Sequence, residues 1–422
     1  MKKWPVIFIF LSSCVMPYDF KQDSFERLLV VEGFVTDQPG FHSVYLSWSD
    51  DFEANKFEMI EDAVVTVIED ESRRIPFMHK KEGEYVSIDP DFKAEFGRNY
   101  SLRIAIGENT YISDEVSIEK CAEIDSLNFI HDVYFRPGEQ EESMLLRLQI
   151  TTHQDEEASR YYRYIKEETW LTIAHASSNR KYKPIFTTID GAAVDVDWEV
   201  TEYENIRYCW PSTTSRNISL ATTEGLTANK LVNVNVSSIN IYSDKLLYKF
   251  SALVKQLSLS KEAHHFLSML KDFSEGDGLL FEVQPGFIEG NIYSMNDPDK
   301  NVIGIFHASA VKEKRIFILL KDLEPEYVNE VFRNRKTCEF EFLYFPTGDS
   351  IPDSTLTESF WLLKDSLLNT RRLAVSNIVF DGILDTLGNP IADILYFSNP
   401  GCVDCRGSGT NIKPEWWGDL QE

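Results

Sequence analysis

The sequence predicts a mainly β protein, with an N-terminal β-sandwich of the immunoglobulin or transthyretin kind followed by a larger β-rich domain carrying one or two inserted helices. Two observations predict it. Runs of five to nine residues rich in β-branched and aromatic side chains recur from Leu28 onward, separated by turn formers such as Asp37-Gln38-Pro39-Gly40 and Lys81-Glu82-Gly83. Helical periodicity, by contrast, is sustained in two short stretches only, beginning at Lys261 and at Pro325.

Taken in order, the strands expected in the first domain, residues 28–120, are Leu28 to Thr36, His42 to Trp48, Ala63 to Glu69, Arg74 to Met78, Glu84 to Ile88, Tyr100 to Ile106 and Tyr111 to Ile118. Within them Val64-Val65-Thr66-Val67-Ile68 lacks polar alternation and reads as a central strand covered on both faces. The stretch from Cys121 to Asp125 reads as a joint to a second domain, residues 121–395. Strands resume there at Ser126 to Phe135, Met144 to Thr151, Tyr161 to Ala174, Leu231 to Val236 and Ile239 to Val254, whereas Ser177 to Ala228 reads as long loops or irregular strands. Ser260 suits an N-cap, and Ala263, Phe266, Leu267 and Leu270 share one face of a helix over 261–273. Further strands are expected at Leu279 to Val283, Val302 to His307 and Arg315 to Leu320, with a second helix from Pro325 to Asn334 that places proline in its first turn. Residues 396–422 form a tail containing two cysteines.

The chain begins with Lys2 and Lys3, runs through apolar Trp4 to Leu11, and reaches Leu11-Ser12-Ser13-Cys14. A basic start, an apolar core too short to span a bilayer and small residues before a cysteine are the marks of an export signal, so residues 1–13 are expected to be removed. Leu-Ser-Ser-Cys resembles the bacterial lipobox, which makes Cys14 the lipidation site and residues 14–27 a tether. No later stretch approaches the roughly 20 apolar residues of a spanning helix. Loss of Lys2 and Lys3 moves the formal charge from -26 to -28, because 40 basic residues then face 68 acidic ones. Nucleic-acid binding is disfavoured by that sign.

No residue constellation declares a reaction. His264 and His265 are adjacent, so on a helix their rings diverge by ~100° and share one ion poorly; no metal or cofactor is expected. Asn296 to Asn301 begins like a calcium loop, but Val302 and Ala308 occupy the positions where glycine and a bidentate glutamate are needed, which leaves a polar turn. Five cysteines remain beside Cys14, an odd number, so at least one is unpaired in the monomer. Cys402-Val403-Asp404-Cys405 precedes a loop-like Gly-Ser-Gly stretch. A local disulfide between Cys402 and Cys405 is preferred there to zinc or redox chemistry.

Several segments together resemble a known family. They are Leu29-Val30-Val31-Glu32-Gly33-Phe34-Val35-Thr36-Asp37, Ile124-Asp125-Ser126-Leu127, Tyr208-Cys209-Trp210, Lys255 to Ser260, Gly290-Asn291-Ile292-Tyr293, Asn296-Asp297-Pro298, Val302 to Phe306 and the tail from Cys402 to Trp417. The chain is similar to the uncharacterised outer-membrane lipoproteins numbered 4249 among the domains of unknown function. That resemblance implies a lipid-anchored accessory of a TonB-dependent receptor in nutrient uptake, at the outer membrane and most simply on the cell surface. It carries no catalytic residue across. Glu32-Gly33 is read as a strand with glycine at a bulge or close approach, and Gly290-Asn291 as a turn. The candidate interface comprises Phe266, Phe273, Phe281, Phe287, Ile288, Ile292 and Tyr293, more apolar surface than one helical stripe explains. A lipid-anchored hydrolase acting on an extracellular polymer is the alternative, supported by abundant carboxylates and aromatics alone.

Overall fold

The computed structural model describes residues 27–40, 42–49, 58–135, 142–178, 180–189, 192–202, 205–215, 217–275, 290–298, 300–333, 335, 338, 341–346, 374–384 and 390–419. The leader, Cys14 and the strand expected at Leu279 to Val283 lie outside them. The protein is mainly β, with large sheets.

The first sheet is built from β1 (Leu29–Thr36), β2 (Ser43–Trp48), β3 (Glu58–Met59), β4 (Val64–Glu69), β5 (Arg73–Lys81), β6 (Glu84–Ser87), β7 (Asn99–Ile106), β8 (Asn109–Ser113) and β9 (Val116–Ser117). The strands expected between 28 and 106 form within a few residues of their expected limits, whereas the one expected at Tyr111 to Ile118 is divided between β8 and β9. Two strands from far along the chain complete the sheet, Ile292–Ser294 at one end and Val302–Ser309 at the other. The order is Ile292–Ser294, β8, β7, β4, β5, β6, β2, β1, Val302–Ser309, with β3 beside β2 and β9 beside β7. Val302–Ser309 runs parallel to β1, in register from Leu29 opposite Val302 to Thr36 opposite Ser309.

The two edges of this path meet at Asn291. Its backbone N–H donates to the Gly304 carbonyl at 3.3 Å. Its side-chain amide donates to the Phe306 carbonyl at 2.8 Å and accepts from the Phe306 N–H at 2.9 Å. A carboxamide thus satisfies a strand's exposed donor and acceptor where no further strand follows. Gly290 is more than a turn residue, since a Cβ there would lie 1.6 Å from the Gly304 oxygen. Nor does Gly33 mark a bulge: β1 keeps register on both sides, and the small residue admits Val44, 3.0 Å from where a Cβ would stand.

A five-stranded sheet follows, ordered Ser212–Thr214, Tyr161–Trp170, Lys249–Leu259, Val311–Leu319, with Ser219–Thr222 also on Tyr161–Trp170. Lys249–Leu259 is its buried centre and runs past Val254, where the strand was expected to end. Ile239 to Val254 is not one strand, because a 3-10 turn at Asp244–Leu246, capped by the Ser243 hydroxyl, divides it. Ser260 caps α1 (Lys261–Glu275) through the Ala263 N–H at 3.2 Å, as its sequence position suggested. The second helix, α2, is Pro325–Arg333. Ile124–Phe135, Glu142–Thr152 and Val234–Asn240 form a further sheet, and Arg180–Ile189 with Ala192–Glu202 make a long hairpin inside the stretch read as loops. Glu341–Pro346, Pro390–Ser398 and Ala374–Leu384 form another sheet.

One core cluster runs from Leu29 to Val331, through residues on both sides of position 120. Strand pairing and core alike therefore cross the point at which the sequence was divided.

Candidate interaction surface

The central strand of the first sheet is covered on one face only. Val65 and Val67 of β4 are buried, whereas Val64 is 65% exposed and Thr66 and Ile68 are half-buried. The expectation of a strand covered on both sides is corrected here. Apolar residues placed on both faces hid the alternation that the fold imposes.

Register extends this open face across the sheet. Tyr293 stands opposite Ile112, Ile112 opposite Arg103, Arg103 opposite Thr66 and Thr66 opposite Pro76. Ile88 then donates its N–H to the Pro76 carbonyl at 3.1 Å. A second row holds Met295, Thr110, Ala105 and Val64, with Met78 beside Val64 on β5. Tyr293 is 49% exposed and Met295 60%, and Pro76, Met78 and Ile88 are exposed as well. Arg103 and threonines interrupt this apolar surface; scattered single apolar residues are ordinary on a protein surface, whereas neighbouring rows are less so.

Three of the residues expected at an interface have described side chains, and of these Tyr293 is exposed. Phe266 is buried against Leu259, Ala263, Leu267 and Ile305, because α1 turns that face onto the sheet. Ile292 is buried in the main core, pointing inward where its neighbour Tyr293 points outward. Both are corrected to core residues. The side chains of Phe273, Phe281, Phe287 and Ile288 lie outside the described residues. Residues that sequence reading missed, Val64, Met78, Ile88 and Met295, become neighbours through long-range pairing; the signal available was the excess of apolar residues in β4.

The tail is fastened to the second half of the fold. Cys405 pairs with Cys209 and Cys402 with Cys338, so the expected bridge between Cys402 and Cys405 does not form. Asp404 is extended between the helical turns Pro400–Val403 and Cys405–Gly407, and the two thiols meet different walls. Cys121 is the free thiol, buried beside Gln256, and burial pushes its pKa up to about 11. Trp417 packs fully buried with Leu171 and Trp210, whereas its neighbour Trp416 stays exposed. Lys249 donates to the carbonyls of Trp417 and Asp419 at 2.9 and 3.0 Å while lying over the Phe317 and Trp417 rings. The Arg315 guanidinium stacks 3.5 Å from the Trp416 ring centre.

Two buried carboxylates elsewhere are held by structural partners. Glu69 accepts from the Tyr100 hydroxyl and from Arg73, each at 3.0 Å. Glu168 sits between Lys166 and Lys245; burial alone would raise its pKa, but the hydrogen bonds from both lysines outweigh this and lower it. His264 packs on the Tyr161 ring and His265 faces solvent. Among the described residues no group of three His, Cys, Asp or Glu side chains converges as a metal site. No described helix is long and apolar enough to cross a membrane.

The quoted segments converge on these same structural joints. Leu29–Thr36 pairs with Val302–Ser309, Gly290-Asn291 seals that edge, and Asn296 accepts the Thr110 N–H at 2.7 Å. Tyr208-Cys209-Trp210 meets the tail through a disulfide, ring packing and the Trp210 N–H bond to Thr410. A family profile described as a domain of unknown function, DUF4249, matches residues 15–315. The chain belongs to that family. The matched span covers the first sheet and most of the five-stranded one, whereas the cysteines of the tail lie beyond it. No curated protein matches the chain.

Proposed function

We propose that this DUF4249 protein is a lipid-anchored accessory of the outer membrane that binds a TonB-dependent receptor engaged in nutrient uptake. The open face of the first sheet carries the reading: Tyr293, Val64, Met78 and Met295 are exposed in adjacent rows on a rigid, one-sided sheet. The Leu-Ser-Ser-Cys14 segment supplies the anchor in this reading, and confinement to a membrane raises the effective concentration of an embedded partner, so modest contacts suffice.

The test combines Val64→Lys, Met78→Glu and Tyr293→Glu in the full lipidated chain. Folding is checked by circular dichroism and protease resistance, and the protein is then purified from outer membrane. A receptor should copurify with the unmutated chain and fall by at least about tenfold with the variant, as for loss of a few contact anchors. Equal recovery, or no integral membrane protein with the unmutated chain, overturns the proposal.

A further inference from the structure

Strand polarity places the start of β1 and the Val64 and Met295 end of the open face together at one end of the first sheet. β1 begins there, and the antiparallel and parallel pairings put at that same end the close of β2, all of β3, the start of β4 and the close of Ile292–Ser294. Met59, Val64 and Met295 are exposed at this end. Glu61, Asp62, Glu82, Glu108 and Asp297, all exposed, surround them. Arg27 pairs with Glu58, Lys80 pairs with Glu84 at 3.4 Å, and Lys300 lies over the Trp48 and Tyr111 rings, so three of the cations at this end are already engaged; Lys81 closes the neighbouring β5.

We propose that this end of the sheet docks against a protein embedded in the membrane that holds the lipid, and that the docking site on that partner is an apolar surface rimmed by basic side chains. The inference rests on the lipid-anchored reading above. The chain from Cys14 to Arg27 spans at most roughly 45 Å even when fully extended, which keeps the start of β1 within reach of the bilayer. Methionine suits such a contact because its unbranched, polarizable side chain repacks against a partner. The carboxylates select the occupant. They are repelled by an anionic headgroup plane and by other acidic surfaces, and they favour encounter with a cationic rim. The opposite end of the same sheet, at Phe96, supplies an internal comparison, since that ring is exposed but lies a strand's length from the start of β1.

A photo-crosslinking phenylalanine analogue is placed at Met59, at Met295 and at Phe96 in separate full-length lipidated proteins on intact cells. Positions 59 and 295 should yield an adduct with the integral membrane protein that copurifies with the unmutated chain, at least tenfold above position 96. Raised salt should weaken it, and so should Glu61→Lys with Asp62→Lys. An adduct extractable with lipid makes the bilayer the occupant and overturns the proposal. Equal yield from position 96, insensitivity to both charge changes, or no adduct overturns it too. If the partner copurifies and depends on Tyr293 while positions 59 and 295 stay unlabelled, the orientation alone fails; if no integral membrane protein copurifies, the accessory reading fails with it.

Discussion

At the scale of single residues, His307 shows how burial sets chemistry. It lies within the parallel pair of strands, stacked on Phe34 with ring centroids 5.3 Å apart, and its Nδ1 is 2.9 Å from the Ser309 hydroxyl. Removal from water, aided by the positive Arg163 nearby, lowers its pKa from 6.5 to about 3. Above pH 6.5 neither folded nor unfolded chain holds this proton. As pH falls below 6.5 the unfolded chain binds it and the folded chain does not, so stability declines until the folded pKa near 3 is reached. Urea unfolding of His307→Gln should therefore lose less stability between pH 7 and pH 4.5 than the unmutated protein; parallel curves would count against a neutral buried imidazole. Asn291 is the other telling residue. Replacing it with alanine strips the Phe306 N–H and carbonyl of their partners, and roughly 2–3 kcal/mol of stability should go with them. Thermal unfolding measures that, with a loss below about 0.5 kcal/mol marking Asn291 as dispensable.

Elements are where local signals compete with distant ones. Strands β1, β2 and β4 to β7 were legible because turn formers punctuate them, and α1 because Ser260 caps an apolar stripe, whereas the two-residue β3 left no such signal. The hairpin at 180–202 reads in the sequence only as long loops or irregular strands, because neither of its strands is a plain run of apolar residues. The cysteine pairing escaped for a different reason: proximity along the chain says little about proximity in space when the tail crosses a fold assembled from residues 171 to 338. Peptide mapping of the non-reduced protein should find Cys209–Cys405 and Cys338–Cys402, with Cys121 unreactive to thiol reagents until the chain is unfolded. A Cys402–Cys405 peptide would contradict this arrangement. The longer bridge closes a loop of 196 residues and the shorter one of 64. Chain entropy alone makes loss of the Cys209–Cys405 bridge about 1 kcal/mol the more costly, a ranking that denaturation of the two serine pairs can check. Trp417→Ala should cost about 3–5 kcal/mol, because it empties a site filled by a fully buried ring.

For the whole molecule, the sequence by itself determined the β class, the run of early strands, both helices, the acidic charge and the family, since each depends on local pattern or on composition. The anchor is proposed from the sequence alone: Cys14→Ala should abolish lipid labelling and release the chain from membranes, and unchanged labelling would remove the anchor from the proposal. Only the tertiary structure decided that Ile292–Ser294 and Val302–Ser309 complete a sheet begun at Leu29, with Asn291 sealing its edge. It also decided which apolar residues are core. Ile292 and Tyr293 are neighbours of similar hydrophobic character in sequence, yet the pleat sends one into the core and the other into solvent. Which face is open depends on what packs behind it: α1 packs against Ile305 of the Val302–Ser309 strand, while Val64 and Tyr293 are exposed. Burial is a property of the assembled sheets, so no local pattern could have assigned it.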